Sequence, residues 1–170
     1  MKTNILAAAA LTLMAAPAFA DGHATGDAAE GEKAYKNCKS CHMIVDDAGE
    51  VIQKGPKTGP NLYGILGRTL GAQEDFRYSK GLTAMNETGA VWDEASFVAW
   101  VQDPSGYLTD QLGKRERSKM TYKLRDEEDA ANLWAYLVSV GPEPEEVSIK
   151  VEVEGDVEVD VEVVDPDASN

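Results

Sequence analysis

Apolar and polar residues recur along the middle of the chain with the spacing of amphipathic helices. Residues 26–37 predict a first helix, entered from Thr25 or Asp27, with acidic residues early and lysines late, as the helix dipole prefers. Residues 79 to about 87 predict a second, weaker helix with Ser79 as its N-cap. The pattern therefore favours helices in this part of the chain.

Two stronger helical patterns follow. Asp93 is the expected cap of a helix over residues 94–102, which Pro104 ends. Asp126 is the expected cap of the last helix, which stops before Gly141. Its apolar stripe at i, i+3, i+4, i+7 and i+8 consists of Ala130, Leu133, Trp134, Leu137 and Val138. Because we find no convincing pair of strands and no internal repeat, the sequence predicts an all-α fold of four or so helices with long loops.

The first twenty residues have the features of an export signal. Lys2 gives a positive start, a short apolar run follows, and Ala18-Phe19-Ala20 supplies the small residues that a signal peptidase needs. The run is shorter than the roughly 20 apolar residues of a membrane-spanning helix. We therefore expect a signal peptide over residues 1–20, cleavage after Ala20 and a periplasmic protein, with a retained membrane anchor as the alternative.

Charge divides the remaining chain into two parts. The formal net charge of the whole chain is −14. Residues 142–170 contain 11 acidic residues and one lysine, in a segment where valine alternates with acid. Alternation at period two is a strand pattern, but like charges on one face oppose strand pairing. We expect a domain over residues 21–141 and an acidic tail over 142–170 that is mostly disordered, with weak cation binding or partner docking as alternatives.

The stretch Cys38-Lys39-Ser40-Cys41-His42 carries the most specific chemistry of the chain. In the pattern C-x-x-C-H, two thiols add to the vinyl groups of a haem and the histidine ligates its iron. A redox-active thiol pair would require a βαβ setting, and a structural zinc site would require two further Cys or His ligands. The chain has two cysteines and one other histidine, His23. The motif therefore predicts one haem c, bound covalently through Cys38 and Cys41.

A haem would also explain how the loops are ordered. About 25 residues between His42 and Arg68 show no helical pattern, and a loop of that length is difficult to order around an ordinary core. The two apolar faces of a haem would give such loops a surface to pack on. The same group would thus serve the fold and the function.

Further residues occur in the order found in a known family. They are the stretch KTGPNLYG at 57–64, Gly67-Arg68, Trp92, Pro104 and the stretch SKMTYK at 118–123. On these residues, between about Gly31 and Leu137, the chain resembles class I cytochrome c. The resemblance is strongest to the soluble bacterial periplasmic proteins, which have longer loops than mitochondrial cytochrome c. It implies the cytochrome c fold wrapped around one covalent haem.

The resemblance also implies how the iron is held. Met120 would be the distal ligand opposite His42, and its thioether would favour ferrous iron and raise the reduction potential. Met43 adjoins the histidine and Met85 lacks a matching context, so both are expected to pack rather than ligate. Pro60 would accept the Nδ1 proton of His42 through its carbonyl and so orient the ring.

Three more positions match residues that hold the haem propionates in this family. Tyr78 and Trp92 would donate hydrogen bonds to a buried propionate, and Arg68 would help to hold its charge. Each of the three also has a plain packing or surface interpretation. The predicted haem-binding residues are Cys38, Cys41, His42, Pro60, Arg68, Tyr78, Trp92 and Met120. The segment 105–119 is longer than in the mitochondrial pattern, and its conformation stays open.

Two axial ligands would leave no iron site for a substrate, and no cluster of acid, base and nucleophile is visible. The sequence therefore predicts a non-enzymatic, soluble, monomeric carrier of single electrons. It would shuttle between a quinol-oxidising cytochrome complex and a terminal oxidase or photosynthetic reaction centre. A haem-based sensor would need a vacant sixth site, and a haem subunit of a periplasmic oxidoreductase would need further machinery; both stay as alternatives. Nucleic acid and small-molecule substrates are not expected.

A basic face is expected despite the acidic total. Within residues 114–125 six side chains are basic and one is acidic, and further lysines adjoin the haem-attachment and proline segments. Such a face would steer the protein to acidic partners, although a run of charge can also be an ordinary solvated loop. The predicted docking residues are Lys39, Lys57, Lys114, Arg115, Lys119 and Lys123.

Overall fold

The computed structural model describes residues 24–142, which contain five α-helices and a two-stranded antiparallel sheet. The signal peptide and the acidic tail predicted above lie outside these residues, apart from Pro142. Within the described part, none of the helices is long and apolar enough to cross a bilayer. The helices are α1 (Ala28–Ala34), α2 (Lys80–Glu87), α3 (Glu94–Gln102), α4 (Pro104–Leu112) and α5 (Glu127–Ser139), and the strands are β1 (Ile44–Val45) and β2 (Val51–Gln53).

A side-chain cap fixes the start of every one of these helices. Asp27, Ser79, Asp93, Asp103 and Asp126 each accept a hydrogen bond from a backbone N–H two or three residues further on. Such caps satisfy donors that the first helical turn leaves unpaired. The predicted caps of α2, α3 and α5 are confirmed, and of the two candidates for α1 the structure selects Asp27.

The first and last helices cross at close range, and Gly31 makes the approach possible. A Cβ atom at Gly31 would lie 1.8 Å from the carbonyl oxygen of Asn132, so no larger residue fits. The Asn132 side chain accepts a hydrogen bond from Asp27 N at 2.6 Å. Beside the crossing, the rings of Tyr35 and Tyr136 pack at a centroid distance of 5.7 Å. The crossing anchors the segment that follows α1, which carries both cysteines.

The structure corrects the sequence analysis in three places. The long loop after His42 contains the antiparallel pair β1 and β2, although no pair of strands was expected. Asp46 accepts hydrogen bonds at the hairpin turn, and Gln53 Nε2 donates to Tyr136 Oη at 2.7 Å, which ties the hairpin to α5. The predicted first helix is also divided, because the α-helical hydrogen bonds end at Ala34 and a 3₁₀ helix (Tyr35–Ser40) continues the chain.

The third correction concerns Pro104, which begins a helix as well as ending one. Asp103 closes α3 and caps α4, and Pro104 occupies the first position of α4, where its missing N–H costs nothing. The segment 105–119, whose conformation the sequence did not determine, therefore begins as a helix up to Leu112. The irregular part is limited to residues 113–119. Lys123 bonds back to Asp103 at 2.8 Å.

Candidate functional site

The predicted site residues lie around one cavity. Its volume is about 240 Å³, and it opens to the surface between the segment after α1 and the segment before α5. Much of its wall is apolar and comes from the core side of α2, α3 and α5. All eight residues predicted to bind a haem line it: Cys38, Cys41, His42, Pro60, Arg68, Tyr78, Trp92 and Met120.

The 3₁₀ helix brings the two cysteines to the cavity edge. His42 N donates to Cys38 O at 2.8 Å, so the motif is held as a compact turn. Burial raises the pKa of the Cys38 thiol to about 12, while Cys41 is exposed. A redox-active thiol pair needs a stabilised thiolate, and Cys38 has the opposite environment. The geometry therefore disfavours thiol–disulfide chemistry and leaves the sulfurs available for bonds to a group in the cavity.

Two contacts and burial determine the tautomer, charge and orientation of the His42 ring. Nδ1 donates a hydrogen bond to the carbonyl of Pro60 at 2.8 Å, because a carbonyl can only accept. Burial lowers the pKa of the imidazole, although the bond to Pro60 acts in the opposite sense. Gly59 packs flat against the ring, since a Cβ atom there would lie 2.4 Å from Cε1. The ring is thus neutral at pH 7, fixed in one tautomer, and presents the lone pair of Nε2.

Met120 lines the same cavity on a segment held from several sides. Its backbone N donates to Ser118 Oγ at 3.0 Å, and Lys119 Nζ donates to Arg77 O at 2.6 Å. Met85 is buried in the core, 4% exposed, and does not line the cavity. Met43 does not line it either. Of the methionines in the described residues, Met120 is therefore the one placed to offer a thioether.

A partly buried guanidinium lies in the wall beside a phenol. Arg68 Nη1 and Nη2 donate to the carbonyls of Tyr63 and Asn61 at 3.1 and 3.0 Å. Burial lowers the pKa of Arg68, and the neighbouring cation offsets part of the rise that burial causes in the pKa of Tyr78. No carboxylate of residues 24–142 forms a salt bridge with Arg68. A cation in this position is suited to an anionic group in the cavity.

Aromatic packing sets the far wall. Trp92, 7% exposed, stacks on Tyr107 at a centroid distance of 6.5 Å and meets Trp100 edge-on at 5.7 Å. Trp100 and Phe97 also line the cavity, although the sequence analysis placed them in a predicted helix over residues 94–102 without giving them a role in the site. Their spacing on α3 could not identify them as lining residues. Residues that pack in a core and residues that contact a bound group recur with the same helical period.

These residues fit a haem. One wall offers a neutral imidazole whose outer nitrogen is already bonded, as is typical of histidines that ligate metals. A thioether lines the same cavity, two sulfurs lie at its edge, and a cation stands among apolar side chains. Imidazole and thioether are an established ligand pair for haem iron.

The sequence profile of the cytochrome c family matches residues 28–141. The chain belongs to the cytochrome c family. It is 46% identical to cytochrome c2 of Cereibacter sphaeroides over 148 residues, which is 85% of this chain and all of the relative. It is 51% identical to cytochrome c-551 of Roseobacter denitrificans over 141 residues, 82% of this chain and 96% of the relative.

Solved structures agree with this assignment. The structure of cytochrome c2 from Rhodobacter sphaeroides matches with a TM-score of 0.67 at 48% identity, covering 70% of this chain and 99% of that one. Ferric cytochrome c-550 from Paracoccus versutus matches with a TM-score of 0.64 at 41% identity, covering 69% and 99%. The expected fold, class I cytochrome c, is confirmed.

Membership also establishes the cofactor. Cytochromes c bind haem c covalently through a cysteine pair, and in this cytochrome c the pair is Cys38 and Cys41. The general function, electron transport on a haem, follows from the same membership. The expectation of a haem-bound electron-transport protein is thereby confirmed, whereas the axial ligands and the partners belong to the proposal below.

Proposed function

We propose that this cytochrome c is a soluble periplasmic carrier of single electrons between a quinol-oxidising cytochrome complex and a terminal oxidase or photosynthetic reaction centre. The observation that carries the proposal is the convergence of His42 and Met120 on one cavity whose rim includes the exposed Cys41. Two filled axial positions suit a protein that changes only the oxidation state of its iron. An exposed cysteine at the rim brings the edge of the bound group to the surface.

His42 and Met120 are the proposed iron ligands. The bond from Nδ1 to Pro60 leaves Nε2 as the donor atom, and contact with Gly59 prevents the ring from turning. When bound, haem c supplies a one-electron iron centre. Pro60 and Gly59 hold the ring of His42, and Ser118 holds the backbone of Met120, so little movement of these residues would accompany oxidation of a bound iron. The apolar wall disfavours the extra positive charge of ferric iron and so raises the reduction potential.

Arg68, Tyr78 and Trp92 are the proposed propionate-binding residues. Arg68 is supported by its place in the wall and by the lack of a salt bridge to any described carboxylate. Tyr78 adjoins that guanidinium and also lines the cavity. Trp92 is held by Tyr107 and Trp100 with its indole in the wall.

The proposed docking face surrounds the exposed part of the cavity. Ser40, Cys41, Thr58, Lys119, Thr121 and Tyr122 are exposed residues of the lining. Of the predicted docking residues, Lys119 belongs to the lining, and the exposed Lys39, Lys57 and Lys123 each adjoin a lining residue in sequence, which supports a basic rim at the opening. Lys123 pairs with Asp103, and Lys114 lies 3.7 Å from Glu116. Lys114 and Arg115 follow α4 and adjoin no lining residue, so their part in docking rests on charge alone.

The remaining expectations complete the proposal. Residues 1–20 would direct export and be removed after Ala20, residues 21–141 would form the haem domain, and residues 142–170 would be a separate acidic tail. The protein would work as a monomer. In the periplasm the protein would both receive its covalent haem and have access to membrane complexes.

A visible spectrum tests the ligands. Ferric haem with a thioether ligand shows a weak far-red absorption band, which we expect in the exported protein and expect to be lost in Met120→Ala. Met85→Leu, a volume-conserving change in the core, should keep the band. Retention of the band in Met120→Ala would show that another thioether is the ligand and would contradict the assignment of Met120. Rapid carbon monoxide binding by the reduced wild-type protein would contradict the proposal and favour a haem-based sensor.

Stopped-flow oxidation by a membrane oxidase tests the docking face. Attraction between exposed charges is screened over about 10 Å at 0.1 M salt, so the rate should fall as salt is added. Lys39→Gln and Lys57→Gln should each slow the reaction about twofold at low salt. Lys33→Gln, on α1 and paired with Glu30, should leave it unchanged. A rate that does not respond to salt would exclude electrostatic steering.

A further inference from the structure

Two hydroxyl groups on one face of α4 contact the irregular segment 113–119. Ser105 Oγ accepts a hydrogen bond from Ser118 N at 3.0 Å, and Thr109 Oγ1 accepts one from Glu116 N at 3.1 Å. Ser105 and Thr109 are four residues apart and therefore lie one above the other on the helix. Both bonds are partly buried. The helix thus binds two backbone N–H groups of a segment that has no secondary structure of its own.

The first of these contacts continues to Met120. Ser118 donates its backbone N–H to α4 and, with its own hydroxyl, accepts the N–H of Met120 at 3.0 Å. A chain of two hydrogen bonds therefore connects Ser105 to the backbone of Met120. Thr109 Oγ1 also donates to Ser105 O at 2.8 Å, which fixes the orientation of the threonine hydroxyl.

The other side of Met120 is attached to a different element. Leu124 N donates to Val101 O at 2.8 Å, and Lys123 pairs with Asp103 at 2.8 Å. These bonds hold the chain after Met120 to the end of α3. The chain before it is held by the two hydroxyls of α4 and, at Lys119, by the bond from Nζ to Arg77 O.

We propose that Ser105 and Thr109 are positioning residues that keep Met120 in the cavity and so set how readily an external ligand replaces its sulfur. The proposal rests on the proposed function, in which Met120 is the sixth ligand. To release the sulfur, residues 113–120 must move away from α4, and the N–H groups of Glu116 and Ser118 must leave their acceptors. Removing an acceptor weakens the closed state, whereas the open state does not use it.

Imidazole binding to the ferric protein measures this opening, because the probe can reach the iron only when the sulfur of Met120 has left it. At about pH 8 imidazole is mostly neutral, so the surrounding charge has little effect on its binding. We expect Ser105→Ala and Thr109→Val to speed imidazole binding about fivefold each, as the loss of one hydrogen bond predicts. Ser105→Thr and Thr109→Ser keep the hydroxyl and should bind at close to the wild-type rate. When the ferric protein is titrated to higher pH, the far-red band should disappear at a lower pH in Ser105→Ala and Thr109→Val. It should persist to a higher pH in Ser105→Thr and Thr109→Ser.

Hydroxyls elsewhere provide the controls. Among the described residues, Ser139 Oγ bonds to Tyr136 O within α5, and Thr83 Oγ1 bonds to the carbonyl of Ser79, the cap of α2. Ser139→Ala and Thr83→Val should leave imidazole binding unchanged even where unfolding in guanidinium shows a loss of stability. Equal rates in the hydroxyl-free and hydroxyl-bearing variants of α4 would overturn the positioning role alone. A wild-type protein without the far-red band would overturn Met120 ligation as well.

Discussion

At the scale of the residue, the tautomer, charge and orientation of the His42 imidazole follow from two backbone contacts and from burial. Pro60 offers a carbonyl that can only accept, the fold withdraws His42 from water, and Gly59 lies against the ring. Together they select the tautomer, the charge and the angle of the ring. The C-x-x-C-H motif predicts His42 as an iron ligand. The contact with Gly59 could not be predicted, because nothing in a Thr-Gly-Pro sequence specifies which side chain the glycine will touch.

Gly59→Ala should therefore displace His42 without changing any polar group. The added Cβ atom would lie 2.4 Å from Cε1 and 2.5 Å from Nδ1, so the ring or the backbone has to move. Overpacking of this kind costs about 1–3 kcal/mol. We expect a lower yield of haem-bound protein and a lower free energy of unfolding in guanidinium.

Gly141→Ala is the matched control, because the nearest atom to its added Cβ lies 3.3 Å away. That variant should keep the wild-type spectrum and yield. A Gly59→Ala protein with unchanged haem content, stability and pH dependence of its spectrum would show that the ring has room to adjust and that its position is not set by this contact.

At the scale of the element, the sequence predicted the helices whose starts are determined by nearby residues. Caps and apolar stripes placed α2, α3 and α5 at their observed starts. The β1–β2 hairpin was missed because its strands are two and three residues long and depend on bonds such as Gln53 to Tyr136, which join distant parts of the chain. The helix α4 was missed because Pro104 was read only as an end, although proline is equally suited to a first helical position.

The junction of α3 and α4 makes a pH-dependent prediction. The bond from Lys123, and then that from Gly106 N, hold the pKa of the Asp103 carboxyl below its usual value. Because the pKa of Asp103 is lower in the folded than in the unfolded chain, its ionised carboxylate stabilises the folded state. This stabilisation is complete above the unfolded pKa of about 4 and is lost as the pH falls through the folded-state pKa. Asp103→Asn keeps a good cap but removes the charge. Its thermal midpoint should lie below that of the wild type at pH 7, and the two should converge under acid conditions.

Asp110→Asn removes the same charge from the exposed side of α4, where no salt bridge is formed within the described residues. It should show no such convergence. If the midpoints of Asp103→Asn and the wild type differ equally at pH 7 and at about pH 3, the ion pair with Lys123 is not the cause.

At the scale of the whole molecule, the distribution of charge matters more than its total. The described domain combines basic residues around the cavity opening with acidic residues elsewhere, and residues 143–170 add 11 acids and one lysine. All eight residues predicted to bind a haem lie within the described residues 24–142. Eight lining residues of the cavity could be predicted, three from the C-x-x-C-H motif and five from the resemblance to a known family. The apolar wall, including Trp100, could not, because its residues are of the ordinary core type.

Removal of residues 143–170 should therefore change encounter rates but not the haem. The deletion makes the net charge ten units more positive, so an acidic partner is repelled less while the basic residues at the opening stay in place. We expect an unchanged visible spectrum and a faster reaction with a membrane oxidase at low salt. The gain should disappear as the Debye length falls to about 8 Å at 0.15 M and below at higher salt.

A second variant separates charge from the presence of the segment. Replacing the 11 acidic residues of 143–170 by their amides keeps the length and removes the charge. If long-range repulsion is the cause, this variant should react at the rate of the deleted protein at every salt concentration. A rate that stays at the wild-type value in the amide variant, but rises in the deletion, would mean that the segment obstructs the docking face by its bulk. A changed spectrum in the deletion would instead make residues 143–170 part of the haem domain, and the boundary at residue 142 would have to be abandoned.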